Sequence, residues 1–407
     1  MRTWPILLLS WKNVWRNPLR SSVVIVSVVL ATWSGIFMIS FFNGMTLQFV
    51  TDQLDTYTSH VQIHQVDFVD EKMPHLVIEN ADTIIMEMNS NPNISSLAKR
   101  SVVQGLASSA TNNFGVSIYG VDVLDEMKIS GLYSYITEGN YLEDPARNPV
   151  LIGSELAKRL SLNLRSRIVL TFQDVDGNIT AGAFRVSGIF RTPNTGFNEK
   201  TVYVKRSDIN RLIGNTEAVH EIAIKIADFN QADTFANELS VGSSNNVRSW
   251  GDLSPTLRYV DSTMSTMMYL IMGIIIIALS FGIINTMLMA ILERTQELGM
   301  LRSVGMNKRR TFIMIMTETF YVTMVGAPIG LLLSWLTISW VGSVGIDLSM
   351  LSKGLEHYGF KSMIYPHLEL KYYVNITLMM FFASFISAVF PATKALKLNP
   401  VEAVRKL

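Results

Sequence analysis

The residues that could do chemistry in this chain are few, and their spacing argues against catalysis. His220-Glu221 opens like the HExxH helix of zinc proteases, but Ile224 stands where the second imidazole is required one turn on. His60 and His64 can share one face of a strand, and the pattern offers no third ligand nearby. Asp174-Val175-Asp176-Gly177-Asn178 begins like a calcium loop, yet Arg185 replaces the closing glutamate, which leaves a hairpin turn. No GxSxG nucleophile elbow occurs. No Gly-Lys dipeptide exists either, and residues 196–201 end in Lys-Thr without the preceding glycine, so no Walker A loop is available to cradle phosphates. With no cysteine, thiolate chemistry and disulfides drop out. The expectation is a chain with no catalytic residue, no metal and no cofactor of its own. If nucleotide drives it, ATP and Mg2+ bind another chain.

One charged side chain stands out by position. Glu318 lies eight residues beyond Arg310 in an apolar run, about 12 Å along a helix. A carboxylate at mid-membrane costs roughly 2.5–3.5 kcal/mol on insertion scales, so such groups face the bundle and carry function. The favoured alternative places it near the inner interface, paired with a basic residue of the 302–310 cluster. Half of the 22 methionines cluster within residues 264–324, in and around spans two and three. Flexible thioethers suit surfaces that accept variable acyl chains, although ordinary lipid-facing or core filling accounts for them more simply.

The elements that must position these residues are membrane spans. Of 407 residues 49% are hydrophobic and 16% charged, against about 25% charged in soluble domains. Four windows are free of charge: residues 21–51, 262–292, 319–346 and 372–393. Each exceeds the ~20 residues that cross ~30 Å of hydrocarbon, and the first is too long for a cleaved signal peptide, whose apolar core is about 7–15 residues. The net charge of +1 conceals segregation: residues 1–20, 293–310 and 394–407 together carry +10, whereas 52–261 carry −8 and 347–371 are balanced. By the positive-inside rule the short basic segments are cytoplasmic. The layout is therefore a cytoplasmic interfacial helix (1–20), span one (21–51), an extracytoplasmic α/β domain (52–261), span two (262–292) and a cytoplasmic loop (293–310). Span three (311–346), an extracytoplasmic loop (347–371), span four (372–393) and a cytoplasmic tail (394–407) follow. Nothing in this charge pattern points to nucleic acid.

Residues 2–20 place Trp4, Leu8, Trp11 and Trp15 on one helical face and Lys12, Arg16 and Arg20 on another, the pattern of a helix in the inner-leaflet interface or of a basic flank that orients span one. In the outer segment, alternation at Val61, Ile63 and at Val116, Ile118 predicts strands, with a hairpin turn at Asn112-Asn113. Further strands are expected at 167–172, 183–190, 201–204 and 219–226, and helices at 154–160, 207–213 and 230–239. A helix is expected to run from 252 without interruption into span two. Small residues four apart recur at Gly326 and Gly330 with Ser334, at Ser27, Ala31 and Gly35, and at Ala278 and Gly282; such spacing lets helices pack closely. Pro328 is expected to kink span three.

The loop reads Glu293-Arg294-Thr295-Gln296-Glu297-Leu298-Gly299-Met300-Leu301-Arg302-Ser303-Val304-Gly305. It resembles the ERxxExGxLRxxG element of the MacB, Lol and FtsX superfamily of ABC transporter permeases. The run Pro391-Ala392-Thr393-Lys394-Ala395 to Leu398-Asn399-Pro400-Val401-Glu402-Ala403-Val404-Arg405 is similar to that family's closing signature, and its Asn399, Pro400 and Glu402 also read as a helix cap. Tyr119-Gly120-Val121-Asp122, Val150-Leu151-Ile152-Gly153-Ser154 and Val186-Ser187-Gly188-Ile189-Phe190 follow in the order seen in LolC and LolE lipoprotein-releasing permeases.

The resemblance implies an α-helical membrane protein with four transmembrane helices and a large mixed α/β outer domain. That domain would have Porter-like parts (52–120 and 219–261) and a Sabre-like insertion (121–218). The implied role is a non-catalytic permease subunit in the bacterial inner membrane. Its implied partners are a cytoplasmic ATPase dimer, a second permease copy or paralogue, membrane lipid and a lipoprotein or other amphiphilic cargo. The alternatives are MacB-like export of periplasmic peptides or amphiphiles, and FtsX-like mechanotransmission to a cell-wall hydrolase. The implied ATPase contact is Glu293, Arg294, Glu297, Leu298, Gly299, Leu301, Arg302 and Gly305. Acyl chains would lie near Phe41, Phe42, Met45, Met264, Met267 and Met268. The sequence departs from LolC-type permeases in the short 172–184 connection, which lacks the proline-bearing hook for a periplasmic chaperone.

Overall fold

A helix in hydrocarbon must satisfy its backbone internally, so the charge-free windows fold as four long helices. They are span one (Pro18–Gln53), span two (Pro255–Glu293), span three (Lys308–Val344) and span four (Leu370–Leu396). The computed structural model describes residues 4–142, 148–241 and 244–397; the cap expected at Asn399, Pro400 and Glu402 lies outside them. It divides into a membrane unit (Met1–Thr46, Ser262–Asp347 and Met363–Leu407) and an outer unit (Leu47–Asp261 and Leu348–Ser362).

Helix ends follow local chemistry rather than the charge-free windows. Span one starts at Pro18, just after the N-terminal helix (Trp4–Arg16), and its last residues continue as a π-helical turn, Leu54–Thr58. The uninterrupted helix expected from 252 into span two does not form. A short helix (Trp250–Leu253) ends at Ser254, whose φ of −128° and ψ of 80° lie outside the helical region, and span two starts at Pro255. Proline drives the preceding residue out of the helical region and suits a first turn, where its missing N–H is no loss. Asn307 caps span three by accepting a hydrogen bond from the Arg310 backbone N–H at 2.9 Å. Span three then runs unbroken through Pro328.

Spans one and three pack through the small residues. A methyl added at Gly330 would come within 2.8 Å of the Val29 carbonyl, and one at Gly326 within 3.0 Å of the Val28 side chain. The Ser334 hydroxyl donates to its own helix at Gly330. Ala278 and Gly282 behave differently. Ala278 is exposed, and nothing lies within 4 Å of a Cβ built on Gly282, so this pair is not a helix contact within the described chain. Gly35 instead faces Met380 and Ile275.

The outer unit is built on one ten-stranded sheet. Its strands are β1 (Val61–His64), β2 (Ile94–Ser108), β3 (Asn113–Val121), β4 (Ile136–Gly139), β5 (Pro149–Gly153), β6 (Arg167–Gln173), β7 (Ile179–Phe190), β8 (Thr201–Lys205), β9 (Glu221–Ile226) and β10 (Asn246–Ser249). The path β2-β3-β8-β5-β7-β6 returns to β2 and closes a barrel-like ring; β3–β8 and β5–β7 are parallel and the other ring pairs antiparallel. Closure removes edges that would otherwise pair with other chains. Val103, Ile118, Ile152, Leu170, Phe184 and Val202 fill the ring, against helices Ser154–Leu160 and Arg206–Ile213. The wing β9-β1-β10 packs on helices Ala81–Met88 and Ala232–Ser240. The sheet is thus continuous across residue 121, since β2 and β3 pair with β6 and β8.

Where the wing leaves the ring, Arg100 is 1% exposed and bonds both carboxylates of its neighbours. Its Nη2 donates to Glu126 at 2.7 Å and its Nη1 to Glu221 at 2.7 Å and to the Tyr57 carbonyl at 3.0 Å.

Candidate functional site

The loop between spans two and three forms a short helix, Thr295–Ser303, the element expected to couple to an ATPase and hence called the coupling helix. Gly305 follows at φ +109°, a conformation that favours glycine and that turns the chain toward the Asn307 cap. Leu298 is 6% exposed and Gly299 is buried, with Leu301 half-buried; Leu298 belongs to the core of the span bundle, and Leu301 and Met306 pack against it. These residues hold the helix to the membrane unit. The opposite face is Gln296 and Met300, continued by Val304 just past the helix end, all exposed, with Met300 at 59% and Val304 at 85%; Leu292, also exposed, belongs to the last turn of span two. Leu298 and Leu301, expected at the ATPase contact, thus face the bundle in this chain, and the four-residue spacing of Gln296, Met300 and Val304 marks the outward side.

Polar groups fix the helix at its start. Arg294 donates from Nε to Glu297 at 3.0 Å and from Nη1 to Glu318 at 3.3 Å. Arg16 of the N-terminal helix bonds the other oxygen of Glu297. Partial burial pushes the Glu297 carboxyl up, but hydrogen bonds from Arg294 and Arg16 outweigh it and hold the group below its usual range. The ion pair expected between Glu318 and the 302–310 cluster is made instead with Arg294, from the other end of the loop, and Asn13 adds a hydrogen bond at 2.8 Å. Arg302 reaches the Leu396 carbonyl at the end of span four, at 3.5 Å. Glu293 is exposed.

A second candidate lies between spans one, two and four, where a cavity of about 460 Å³ opens. Met268, Met272, Ile376, Met379 and Phe382 make it apolar, and Asn43, Asn375, Tyr269 and Tyr372 add polar groups. Of the six residues expected around acyl chains, Met268 lines it. Phe41 and Phe42 pack edge-to-face on each other at 5.6 Å, Met45 and Met264 are half-buried elsewhere, and Met267 is 48% exposed. The wall supplied by span four was missed because its tyrosines and Asn375 read as ordinary span residues.

The histidines are structural. His220 is fully buried; its Nδ1 accepts from the Val102 N–H at 3.1 Å and its Nε2 lies 2.9 Å from the Pro74 carbonyl. His64 bonds the His220 carbonyl and Gln62, while His60 takes a bond from the Ile226 N–H. Burial pushes His64 and His220 down to about 4, so both are neutral near pH 7. No metal-ligating cluster occurs among the described residues.

The MacB-like periplasmic core domain pattern matches residues 21–240, and the FtsX-like permease C-terminal pattern matches residues 269–400. LolC, a lipoprotein-releasing system transmembrane protein of Neisseria meningitidis, is 22% identical over 96% of this chain and 95% of its own length. An uncharacterized ABC transporter permease of Methanocaldococcus jannaschii is 24% identical over 66% of this chain and 65% of its own. The macrolide export ATP-binding/permease protein MacB of Bdellovibrio bacteriovorus is 29% identical over 41% of this chain, which spans 23% of that protein. Membership in such a family implies a cytoplasmic ATPase partner, with this subunit non-catalytic. With four apolar helices, an extracytoplasmic α/β domain and a family pattern over more than half its length, the chain belongs to the MacB/FtsX/LolC superfamily of ABC transporter permeases.

Proposed function

We propose that this permease extracts lipoproteins from the outer leaflet of the bacterial inner membrane for release toward the outer membrane. A separate ATPase dimer docks on residues 293–306 and drives it, and a second permease copy or paralogue completes the assembly. Residues 1–20, the 293–310 loop and the tail lie in the cytoplasm, as the positive-inside rule directs.

The observation that carries this reading is the cavity between spans one, two and four, apolar in body and fringed by amides and phenols. Its size falls in the range of small-ligand sites, and a lipidated chain needs both an apolar bed and a polar rim. The match to LolC along nearly the whole of both chains supports the same cargo class. On the cytoplasmic side, Met300 and Val304 form the apolar face for the ATPase, and Leu298, Gly299, Leu301, Arg294 and Glu297 hold that face in place.

A second reading, export of periplasmic peptides or amphiphiles, is favoured by the MacB-like core pattern over residues 21–240. Mass spectrometry of everything that co-purifies after gentle extraction from the native membrane separates them. An ATPase with acylated lipoprotein is the expected result. An ATPase with peptides or small amphiphiles supports export, one with a peptidoglycan hydrolase supports mechanotransmission, and no ATPase refutes all three.

A further inference from the structure

Three elements meet at one carboxylate. Glu318, in span three, is 9% exposed, and its Oε1 accepts from Asn13 of the N-terminal helix at 2.8 Å and from Arg294 at the head of the coupling helix at 3.3 Å. Arg294, with a side chain 13% exposed, passes the connection to Glu297, and Glu297 returns it to the N-terminal helix through Arg16. Asn13 and Arg16 are one helical turn apart, as are Arg294 and Glu297, so both flanking elements present a pair of groups to the same place. The Ser10 hydroxyl adds a bond to the Met314 carbonyl of span three at 3.2 Å. Beside the cluster is a small void of about 30 Å³ lined by Asn13, Arg294, Glu318 and Met287, room for roughly one water.

A carboxylate this buried is held by its partners. When one is removed the remaining charge is left uncompensated, so the arrangement resists partial opening and moves as a set.

We propose that Glu318 is a positioning residue that ties the coupling helix and the N-terminal helix to span three, so that a push on the coupling helix displaces all three together. The proposal rests on the reading of residues 293–306 as the ATPase-docking element. It makes the N-terminal helix part of the transmission, beyond its role as a membrane-surface anchor.

The test uses the full chain in nanodiscs of phosphatidylethanolamine and phosphatidylglycerol, with amide hydrogen exchange as the readout and no ATPase present. Glu318→Gln keeps the shape and removes the charge. Exchange is expected to accelerate about tenfold or more, the scale of one charge-assisted hydrogen bond, in both 297–303 and 10–16. Arg294→Gln should accelerate 297–303 similarly, and the double variant should add little to either single one, because both break the same link. A merely structural loosening would instead give additive effects. Val322→Ala, a packing change one turn further along span three beside Val14, should affect 10–16 and spare 297–303. Unchanged exchange in Glu318→Gln, or additivity in the double variant, overturns the proposal. A separate arm adds the co-purified ATPase to the wild-type chain: failure to protect 296–304 refutes the docking reading, while the first arm still reports on the tie.

Discussion

Replacing Met300 and Val304 together by aspartate tests which face of the coupling helix meets the ATPase. Met300 is 59% and Val304 85% exposed, so most of each side chain is free to be buried by a partner. Full burial of a Met or Val side chain contributes about 1.5–3 kcal/mol. Scaled by those fractions, the two together contribute roughly 2–4 kcal/mol, and two aspartates in the same interface add the cost of desolvating their charges. The affinity for the ATPase should therefore fall by a factor of about 100 or more, measured by fluorescence anisotropy of labelled ATPase against the permease in nanodiscs. The protein itself should be unharmed, with wild-type thermal stability, because neither side chain packs inward. Leu298→Ala is the opposite case: at 6% exposure within the bundle core it should cost about 2–5 kcal/mol of local stability and weaken docking only by loosening the helix. Wild-type affinity in the double aspartate variant would refute the assignment of this face.

Three further outcomes follow from the packing. Arg100→Met leaves the Glu126 and Glu221 carboxylates buried without their guanidinium and should destabilise the outer domain by about 3–5 kcal/mol, read from the denaturation midpoint of the full chain. His64 and His220 titrate near 4 when folded against 6.5 when unfolded; the unfolded chain takes up protons first as pH falls, so their contribution is complete above about pH 6.5 and lost down to about pH 4. The two face each other electrostatically, so their joint loss is on the order of a few kcal/mol, and calorimetry of the full chain across that window should show the outer-domain transition falling steadily. Gly330→Leu places a side chain where even a methyl meets the Val29 carbonyl at 2.8 Å, so spans one and three must separate, and the denaturation midpoint of the full chain should fall as expected for an overpacked contact costing about 1–3 kcal/mol or more.

How legible these features were depended on what each residue has to do. The spans could be read directly because hydrocarbon excludes charge, and their windows survive in the four helices. Their ends could not, since a proline such as Pro255 overrides an otherwise continuous amphipathic run. The coupling helix was evident from its residues, but its faces were not. Leu298 and Gly299 turn inward because the bundle offers them a core, and only that core reveals Met300 and Val304 as the outward side. Strand β2 is legible only in part: the hairpin turn at Asn112-Asn113 implies its last residues, but its first half is obscured because Lys99, Arg100 and Ser101 interrupt the apolar alternation where it pairs with β9. Arg100 is tolerated only because Glu126 and Glu221 arrive from distant positions. Glu318 is legible as an intramembrane charge, but the densest basic cluster, 302–310, does not reveal its partner, because proximity in the fold selects Arg294.

Filling the cavity between the spans separates cargo binding from ATPase docking. Met268 lines the space of about 460 Å³ together with Met272, Ile376 and Met379, and tryptophan at 268 would occupy part of it at the expense of an acyl chain. Each methylene excluded forfeits about 0.8 kcal/mol, so displacing three of them weakens cargo retention by roughly 2.4 kcal/mol, or about 50-fold. The coupling helix is untouched, which means ATP hydrolysis by the docked ATPase should continue while release of a fluorescent lipoprotein from proteoliposomes collapses. Loss of hydrolysis and release together would place the fault in assembly, as expected for the Met300 and Val304 variant. Undiminished release in Met268→Trp would remove the cavity from the cargo path and shift the balance toward the outer domain as the place where cargo is held.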